Sequence, residues 1–400
     1  MTPIAISAIT AVSALGRGAA AHTAALLARR SGLQRNDFEP VVGGWIGRVA
    51  DIESASVPEA LGAYDCRNNR LAGMALETDN FRDAVADARE TYGADRIAVV
   101  VGTSTSGIAA AEEAFAARDP VSGALPASFD YSHTQDMASL AKFVRRSLGL
   151  RGPAMTVSTA CASSARGFMD AAHLIRTGVC DAAVVGGADS LCRMTLQGFA
   201  ALELIDPDPC RPCDAARNGI SIGEAAGFAL LEPACAPRRD GGASPRFGLL
   251  GAGASSDGYH MSASHPEGAG AIAAMRAALA SAGVNAQVVD WVHLHGTGTK
   301  ANDAMEDAAV VAVCGESVAC SSTKAFTGHT LGSCGILEVL LTRACVEHEF
   351  IAGCLGVERL DPSFRSRVAT TNLRRPVRHV LNNAFGFGGI NCSLLLGCIA

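Results

Sequence analysis

The sequence predicts an α/β fold with mostly parallel sheets, and three features of its 400 residues support this. Short apolar runs alternate with longer stretches in which apolar residues recur at helical spacing. Several of the short runs end in glycine and small polar residues, as buried strands do where they lead into loops. The order of these elements in the first half of the chain returns in the second half. We therefore expect two similar α/β halves whose equivalent loops share one cleft.

The first half is predicted to open with a strand over residues 4–12 and a helix that ends near Arg30. One long helix is predicted over residues 68–92, because its apolar residues form a single stripe. The other predicted strands of this half are residues 97–101, 154–157, 181–187 and 225–231. The other predicted helices lie within 106–129, over 134–148, and in the stretch that follows Cys161. Residues 36–62 and 203–224 are predicted to be irregular.

The second half repeats this order after a linker candidate at residues 234–245, which holds Arg238-Arg239-Asp240-Gly241-Gly242. Its predicted elements are a strand over 247–253, a helix over 270–282, a strand over 288–294, a turn and apolar helix over 328–348, and late strands within 377–396. The repeat predicts an N-terminal half over residues 1–235 and a C-terminal half over 246–400.

Composition excludes several classes of function. Charged residues make up 18% of the chain and the net charge is −6, so there is no overall basic field for a nucleic-acid partner. The 14 cysteines are scattered and several lie within apolar runs, which favours reduced thiols in the cytoplasm. No uncharged apolar segment reaches the roughly 18–20 residues of a membrane span. The apolar N-terminal run follows no Lys or Arg, so we expect a buried strand there rather than a signal peptide.

Cys161 is the candidate nucleophile. An apolar run at 154–157 reaches it through small residues, and a helical pattern follows, which predicts a strand, a sharp elbow and a helix. Unpaired backbone N–H groups and the helix dipole at such an elbow favour the thiolate and can stabilise an oxyanion. Cysteine is also among the most buried residue types, so position alone leaves a structural role open.

Two histidine motifs in the second half add to this cysteine. His295 opens His-Gly-Thr-Gly-Thr at the end of a predicted strand, where a side chain can face a crevice. His293 lies two positions earlier, but no third ligand has recognisable spacing, so we expect no metal site there and a hydrogen-bonded core histidine instead.

His329 lies between Gly328 and Gly332 at a turn before an apolar helix. Lys324 precedes it, and Glu338 falls within the helix. A carboxylate and an ammonium in so apolar a setting are expected to pair, with solvated side chains as the alternative. A cysteine thiolate that accepts an acyl group, together with neutral imidazole N–H donors that stabilise an enolate, makes carbon–carbon bond formation conceivable.

The chain resembles the β-ketoacyl-acyl carrier protein synthases of the thiolase superfamily, in the branch with a Cys-His-His active site, over nearly its full length. The motifs that carry the resemblance are Ser158-Thr-Ala-Cys161-Ala-Ser-Ser164, Arg211-Pro-Cys-Asp214 with Arg217-Asn-Gly219 and Gly223-Glu224, Asp257-Gly-Tyr-His260-Met261, His295-Gly-Thr-Gly-Thr299 with Asp303 and Glu306, Lys324 through Gly328-His329, and Asn383-Ala-Phe385-Gly-Phe387-Gly-Gly389. In this order and spacing the motifs are very specific.

The resemblance implies a thiolase-like fold, with two similar halves packed as a layered α-β-α-β-α unit. It implies that Cys161 accepts the acyl chain, and that His295 and His329 promote decarboxylation of a malonyl unit. It also implies that Lys324 supports the histidines with Glu338 as its partner, and that the N–H groups of Cys161 and Phe387 form the oxyanion hole. The substrate-binding residues that it implies are Thr297, Thr299, Phe385 and the gating Phe387.

The implied partners are an acyl carrier protein and a second subunit, in a homodimer or in a heterodimer with a related synthase or chain-length subunit. Part of the acyl tunnel is then contributed across the interface. No metal or nucleotide cofactor is expected, because the phosphopantetheine arm arrives on the carrier protein. Arg67, Arg70 and Arg211 are candidate contacts for the acidic carrier, with ordinary solvated arginines as the alternative.

Several positions depart from the family pattern. Cys213 replaces a usual aromatic residue and creates Cys210-Arg-Pro-Cys213, which we interpret as a small core substitution rather than a redox or zinc motif. Lys300 and Asn302 replace a usual Pro and Gly and leave the shape of the channel rim open. The helix that begins near Tyr64 resembles condensing enzymes of aryl-polyene-type pathways.

Two alternatives remain at the level of sequence. A non-catalytic subunit that only sets chain length would lack the nucleophile, whereas Cys161, His295, His329 and Lys324 are all present. A thiolase would need a second catalytic cysteine near the C-terminus, and Cys392 does not open a glycine-rich motif.

Overall fold

The computed structural model describes residues 2–236 and 246–399. Most of the predicted linker at 234–245 lies outside the described residues, so the boundary between the predicted domains stays a prediction. The strands are β1 Ile4–Ser13, β2 Gly16–Arg17, β3 Leu33–Arg35, β4 Trp45–Gly47, β5 Ile97–Gly102, β6 Ala154–Val157, β7 Ala182–Asp189, β8 Ile222–Gly223, β9 Ala225–Pro233, β10 Arg246–Ser256, β11 Trp291–His293, β12 Ala319–Ser321, β13 Phe350–Ile351, β14 Arg367–Val368, β15 Leu373–Arg374, β16 His379–Gly386 and β17 Ile390–Ile399.

The helices alternate with these strands, as predicted. They are α1 Gly18–Leu27, α2 Arg67–Leu76, α3 Phe81–Tyr92, α4 Ile108–Ala116, α5 Ser139–Ser147, α6 Ser163–Arg176, α7 Arg193–Ala201, α8 Ala269–Ala282, α9 Lys300–Cys314, α10 Lys324–Thr327 and α11 Cys334–Glu347. No helix in the described ranges is long and apolar enough to cross a membrane.

The main strands follow one hydrogen-bonded order, β14-β12-β11-β16-β17-β10-β1-β9-β7-β5-β6. Outward from β1, the pairs with β9 and then β7 are antiparallel, and the pairs with β5 and then β6 are parallel. Outward from β10, the pairs with β17 and then β16 are antiparallel, and the pairs with β11 and then β12 are parallel. The two halves therefore repeat the same strand order and directions, which agrees with the predicted repeat of elements. The expectation of mostly parallel sheets is wrong, because the pairs from β7 through β1 and β10 to β16 are antiparallel.

Helices α6 and α11 form the middle of the molecule. Helix α6 packs against strands of both halves, and so does α11, which also contacts α6. Their apolar side chains belong to one core that includes Phe168, Ile336 and Leu340. The outer faces of the sheets are covered by α2 and α5 in the first half and by α8 in the second. This is the expected α-β-α-β-α layering, and it brings the starts of α6 and α11 together.

The predicted long helix over 68–92 is wrong, because the chain breaks between α2 and α3. Asp79 and Asn80 adopt left-handed backbone conformations, with φ of 56° and 54°, which a continuous helix cannot contain. The Asp79 carboxylate accepts a hydrogen bond from Ala19 N at the start of α1. Asp and Asn tolerate the left-handed region better than most residues, so the turn interrupts a pattern that is otherwise helical.

Two other predicted elements are longer than the observed ones. The helix predicted over 134–148 begins only at Ser139, because residues 131–138 form turns and a bend. The strand predicted over 288–294 is limited to Trp291–His293, after a short 3₁₀ turn at Ala286–Val288. The shortened β11 lets the chain turn away from the sheet at His295.

Arg67, at the start of α2, is tied to a buried carboxylate. Its guanidinium donates to Glu224 at 2.8 and 2.7 Å and to Glu53 at 2.6 Å. The fully buried Glu224 side chain also accepts from the backbone N–H groups of Val49 and Leu191. Since only 13% of the Arg67 side chain is exposed, it has little free charge to offer a carrier protein. It fixes α2 to the core instead.

We predict that Arg67→Ala lowers the free energy of unfolding by about 3–5 kcal/mol, because it leaves a buried carboxylate unpaired. Arg70→Ala is the matched control on the same helix. The Arg70 and Asp65 side chains are 33% and 37% exposed, and losing such a pair costs about 0–1 kcal/mol. Urea unfolding followed by circular dichroism measures both variants. Equal, small losses for the two would contradict the structural role of Arg67.

Candidate active site

Cys161 occupies the predicted elbow between strand and helix. Strand β6 ends at Val157 and helix α6 begins at Ser163. The turn between them forces Ala160 into the left-handed region, with φ of 48°. The Ser163 hydroxyl accepts a hydrogen bond from Thr159 N at 2.9 Å and closes the turn. The Cys161 side chain therefore projects from the start of a buried helix.

The end of β16 packs directly on this elbow because residue 386 is glycine. A Cβ at Gly386 would lie 2.7 Å from the Thr159 carbonyl oxygen and 3.3 Å from Cys161 N. This close approach brings Phe387 next to the nucleophile. The backbone N–H groups of Phe387 and of Cys161 itself both face the Cys161 sulfur. They are the two groups that the family resemblance implies for an oxyanion hole.

The two histidines lie beside Cys161, although they come from the other half of the chain. His329 Nε2 is 3.0 Å from Cys161 Sγ. The rings of His295 and His329 are 5.3 Å apart and nearly perpendicular, at 84°. Cys161 is 6% exposed and both histidines are 3% exposed, so the group is enclosed.

Lys324 fixes the tautomer of His295. Its Nζ donates to Glu338 Oε1 at 2.6 Å and lies 3.4 Å from His295 Nδ1. An ammonium has only donors, so His295 Nδ1 must be the acceptor, and the ring proton sits on Nε2. Lys324 and Glu338 are 1% and 3% exposed, which confirms the pair rather than the solvated alternative. His295 therefore presents an N–H donor on the side of its ring away from Lys324.

Burial keeps both histidines neutral. Burial first, and then the positive charge of Lys324, hold the pKa of His295 and of His329 well below the usual value. Burial also raises the pKa of the Cys161 thiol to about 11, although Lys324 and the two facing backbone N–H groups act to lower it. The expectation of a thiolate favoured by the helix N-terminus therefore does not hold for the resting thiol. Burial outweighs the local effect of the elbow.

Buried carboxylates shape the loop after His295. Glu306 accepts from His295 N at 2.9 Å, from Gly296 N at 2.8 Å and from the Asn383 amide at 3.1 Å. Asp303 accepts from Gly298 N at 3.1 Å. Glu306 and Asp303 belong to the motif that begins at His295, but the sequence by itself assigns no role to either residue. Their spacing after a strand-end histidine is the signal that could have found them.

His293 is a core residue, as expected. Its two ring nitrogens lie 2.9 Å from the hydroxyls of Thr342 and Thr323, and its ring stacks on Trp291 at 4.5 Å. Both nitrogens are engaged, and the side chain is fully buried. It packs behind the site and has no free nitrogen to offer a metal or a substrate.

The ligand atoms of Cys161, His295 and His329 lie within 4.8 Å of one another, a donor set that zinc accepts. The Lys324 ammonium, 3.4 Å from His295 Nδ1, places positive charge beside this group and disfavours a second cation. His295 Nδ1 also faces Lys324, which leaves only Nε2 for other partners. We keep the expectation that the site works without a metal.

Two cavities meet at Cys161. The larger, of about 650 Å³, is also lined by Thr297, Thr299, Phe385, His295 and His329. The smaller, of about 290 Å³, has mainly apolar walls that include Ile108, Met194 and Leu331. Phe387 and Phe199 border both cavities, and their rings lie 5.5 Å apart. The substrate-binding residues named from sequence therefore all line the larger cavity.

The residues that depart from the family pattern lie around this site. Lys300 and Asn302 line the larger cavity at the start of α9, where Thr299 caps the helix by accepting from Asn302 N. The sulfur of Cys210 points at the Lys324 carbonyl, at 3.5 Å, whereas the buried Cys213 thiol interacts with Cys354. Both cysteines are free, so the two do not form a disulfide.

The other two arginines named as carrier contacts are engaged at the surface. Arg70 donates two hydrogen bonds to Asp65, at 2.6 and 2.8 Å. Arg211 lies 3.8 Å from Asp208 and is 24% exposed. Both retain partial exposure, which Arg67 largely lacks.

We predict that alkylation of Cys161 by iodoacetamide accelerates about tenfold per pH unit between about pH 7 and 9, because only the thiolate reacts. The pKa of about 11 lies above this range, so the thiolate fraction is still rising throughout it. Peptide mass spectrometry follows the rate, and Cys161→Ala identifies the adduct. A rate that is already constant at neutral pH would show that the resting group is a thiolate.

Comparison with known proteins supports the geometry. The family model for the beta-ketoacyl synthase N-terminal domain matches residues 69–235 of the sequence. The family model for the C-terminal domain matches residues 247–358. The chain is 35% identical to a solved ketosynthase (ApeO), in complex with its chain length factor (ApeC), from Xenorhabdus doucetiae. That match has a TM-score of 0.89 and covers 100% of this chain and 98% of the other.

Two curated relatives match over a shorter stretch. Nodulation protein E of Rhizobium meliloti is 38% identical over 257 residues, which is 63% of each chain. The 3-oxoacyl-[acyl-carrier-protein] synthase 2 of Rhizobium meliloti (strain 1021) is 37% identical over 261 residues, 62% of this chain and 61% of that protein. The chain thus spans less than two thirds of these relatives' length. Together with the match to ApeO over the whole chain, the two domain matches place the protein in the beta-ketoacyl synthase family.

Proposed function

We propose that this protein is a β-ketoacyl-acyl carrier protein synthase. It transfers an acyl chain to Cys161 and extends the chain by decarboxylative Claisen condensation with a malonyl unit on a carrier protein. The observation that carries the proposal is the contact of 3.0 Å between Cys161 Sγ and His329 Nε2, at the point where two cavities meet. A nucleophile, a neutral base and two backbone N–H donors converge there.

In the first step, Cys161 takes the acyl group. Its sulfur attacks the thioester carbonyl of the acyl carrier, and His329 Nε2 accepts the thiol proton. The N–H groups of Cys161 and Phe387 stabilise the oxyanion of the tetrahedral intermediate. The intermediate collapses, the C–S bond to the phosphopantetheine arm breaks, and the carrier thiol leaves with the proton.

In the second step, malonyl-carrier occupies the larger cavity. Its bond to the carboxylate breaks, CO₂ leaves, and the electron pair forms an enolate at the thioester. The Nε2–H of His295 donates to the enolate oxygen. His329 joins it through Nε2 after its ring proton moves there from Nδ1, since the acylated sulfur no longer has a proton for Nε2 to accept. The enolate carbon attacks the acyl carbonyl on Cys161, a C–C bond forms, and the Cys161 thiolate leaves. The thiolate then takes up a proton from solvent, which restores the thiol. Both imidazoles act in their neutral state, which their lowered pKa values support.

Each of the two cavities binds a different part of the substrate. The smaller, mainly apolar cavity receives the acyl chain, and the larger one receives the phosphopantetheine arm, with the Thr297 and Thr299 hydroxyls as hydrogen-bonding groups. Phe387 separates the two and acts as the gate. No metal or nucleotide takes part in these steps. Arg70 and Arg211 are the carrier contacts that we retain.

Two more specific proposals concern the biosynthetic pathway and the cellular compartment in which the protein acts. The likeness to ApeO supports an aryl-polyene-type pathway, with fatty-acid and other polyketide pathways as the alternatives. The cysteines are all free, including the exposed Cys235, which supports the reducing cytoplasm as the place where the protein acts.

The alternatives identified from sequence have weaker support. A subunit that only sets chain length has no use for a cysteine and two histidines enclosed with a Lys324–Glu338 pair. A thiolase needs a second cysteine at the reacting centre, and Cys392 lies within β17, paired with Ala254 and Ala384. Cys392 lines neither cavity.

A partner subunit would complete the acyl cavity. Met194 and Leu202 line the smaller cavity but are 58% and 51% exposed, so the cavity opens to the surface there. Strand β6 ends the order of the main strands in the described residues, and its Met155 is 38% exposed. An unpaired edge strand is a surface on which another chain can pair. We propose a dimer through this edge, with a second copy or with a chain-length subunit like the one that accompanies ApeO.

The test of the reaction is incubation with octanoyl-carrier and malonyl-carrier proteins, with mass spectrometry of the carrier-bound product. We expect wild type to form the β-ketoacyl product, and Cys161→Ala to lose at least about 10³-fold in rate because no acyl-enzyme can form. Cys334→Ala is the matched control, since this buried thiol donates to the Cys161 carbonyl yet takes no part in the proposed steps. It should keep most of the activity.

The proposal fails if wild type extends no acyl carrier, alone or with a partner subunit, and Cys161 accepts no acyl group from any of the carriers offered. Acyl transfer to Cys161 without condensation would instead favour an acyltransferase.

The test of assembly is Met155→Asp. A carboxylate on the edge strand must be desolvated when another strand pairs there, so we expect assembly to weaken by at least about tenfold. Val179→Asp is the control, because Val179 is 45% exposed but lies outside β6. Light scattering after size exclusion, with and without a partner subunit, gives the mass. Unchanged assembly of Met155→Asp would exclude β6 from the interface.

A further inference from the structure

Asp189 is a buried carboxylate that the proposed reaction does not use. It ends strand β7, and its side chain is fully buried. Its hydrogen-bond donors in the described residues are N–H and O–H groups, and none of them is Lys or Arg. Burial raises its pKa, while the hydrogen bonds from Thr103, Ser104 and Thr105 oppose this. Such a cluster of donors around one side chain marks a junction between chain segments.

The first segment held by Asp189 follows strand β5. The Thr103 hydroxyl donates to Oδ1 at 2.7 Å, and the N–H and hydroxyl of Thr105 each donate to Oδ1 at 2.8 Å. Ser104 N donates to Oδ1 at 2.8 Å, and the Ser104 hydroxyl donates to Oδ2 at 2.8 Å. Ser104 and Thr105 line the smaller cavity beside Cys161. Asp189 therefore supports one wall of the cavity without lining it.

The second segment is the loop that carries His329. Gly332 N donates to Asp189 Oδ2, and the neighbouring Leu331 lines the same small cavity. There is no room at residue 332 for a side chain. A Cβ there would lie 2.7 Å from Asp189 Oδ2, 3.0 Å from Ser104 N and 3.2 Å from the Ala160 carbonyl oxygen. One carboxylate thus joins the cavity wall to the His329 loop, and that loop packs against the Cys161 elbow at Gly332.

Backbone strain is concentrated around this junction. Ala160, Ser106 and Leu331 all have left-handed backbones, with φ of 48°, 46° and 53°. Residues other than glycine hold such conformations only where the surroundings over-determine them. Thr103 holds the left-handed backbone of Ser106 in place. The Thr103 hydroxyl accepts a hydrogen bond from Ser106 N at 2.9 Å and donates one to Asp189.

We propose that Asp189 is a positioning residue that sets the shape of the acyl cavity relative to Cys161. It touches no substrate and acts through Ser104, Thr105 and the loop of Leu331 and Gly332. This inference rests on the proposed function, because it assigns the smaller cavity to the acyl chain. Its consequence is selectivity: loss of the carboxylate changes which chain lengths react at Cys161, and not only how much protein folds.

The test compares two probes of Cys161, iodoacetamide and N-octyl iodoacetamide. The octyl chain must fit the cavity, whereas the small probe need not. The ratio of the two rate constants, measured on protein that size exclusion and circular dichroism show to be folded, therefore reports on the cavity. Asp189→Asn replaces one carboxylate oxygen by an NH₂ that faces backbone N–H donors, so the wall must move. We expect the ratio of rate constants to change by about tenfold or more, as small displacements at a reacting group do.

Two further variants make the result decisive. Thr103→Val removes one donor to Asp189 without lining the cavity, and should shift the ratio in the same direction by a smaller factor. Asp181→Asn is the matched control, because Asp181 precedes the other end of β7 and pairs with Arg96 at the surface, where the two side chains are 43% and 42% exposed. It should leave the ratio unchanged.

If folded Asp189→Asn and Thr103→Val both keep the wild-type ratio of rate constants, the proposal is overturned. If Asp189→Asn does not fold, the ratio measured for Thr103→Val decides alone. Alkylation needs neither carrier nor condensation. Failure of the condensation assay would therefore count against the proposed function, while the ratio still tests the role of Asp189.

Discussion

The active site depends on one buried ion pair, that between Lys324 and Glu338. An ammonium enclosed at 1% exposure is costly unless a carboxylate meets it, and Glu338 does so at 2.6 Å. Burial acts to lower the pKa of Lys324, but the charge of Glu338 overcomes this and raises it, so the lysine stays charged. This fixed charge then determines the state of its neighbours. It orients the proton of His295 and helps to keep both histidines neutral.

The pair also links the site to the architecture. Glu338 belongs to α11, the helix at the centre of the molecule, which packs against α6 from the other half. Cys161 lies just before α6, and His329 lies shortly before α11. The packing that buries these two apolar helices therefore also sets the distance between nucleophile and base. Repetition of one α/β unit brings two equivalent turns to a shared cleft, and the two have diverged to carry different groups.

Much of this could be predicted from sequence, because the signals are local. Cys161 at an elbow, His295 at a strand end and the Lys324–Glu338 pair each follow from a few neighbouring residues. Three features could not be predicted in that way. The break at Asp79 and Asn80 depends on a contact with Ala19, the role of Arg67 depends on the distant Glu224, and the Asp189 junction gathers segments from three parts of the chain. Each of these is fixed by tertiary packing, which overrides a periodic pattern or an apparent surface charge.

The acidity of Cys161 shows the same contrast between a local sequence signal and the effect of tertiary packing. It also bears on the mechanism. Its local setting favours a thiolate, but burial raises its pKa to about 11. Proton transfer from the thiol to His329 without a substrate carbonyl would create an imidazolium close to the Lys324 ammonium, and that charge opposes it. A substrate carbonyl changes the balance, since negative charge can pass from sulfur to an oxygen that meets the N–H groups of Cys161 and Phe387. Deprotonation is then coupled to attack, and the thiol reacts only slowly until an acyl group is in place.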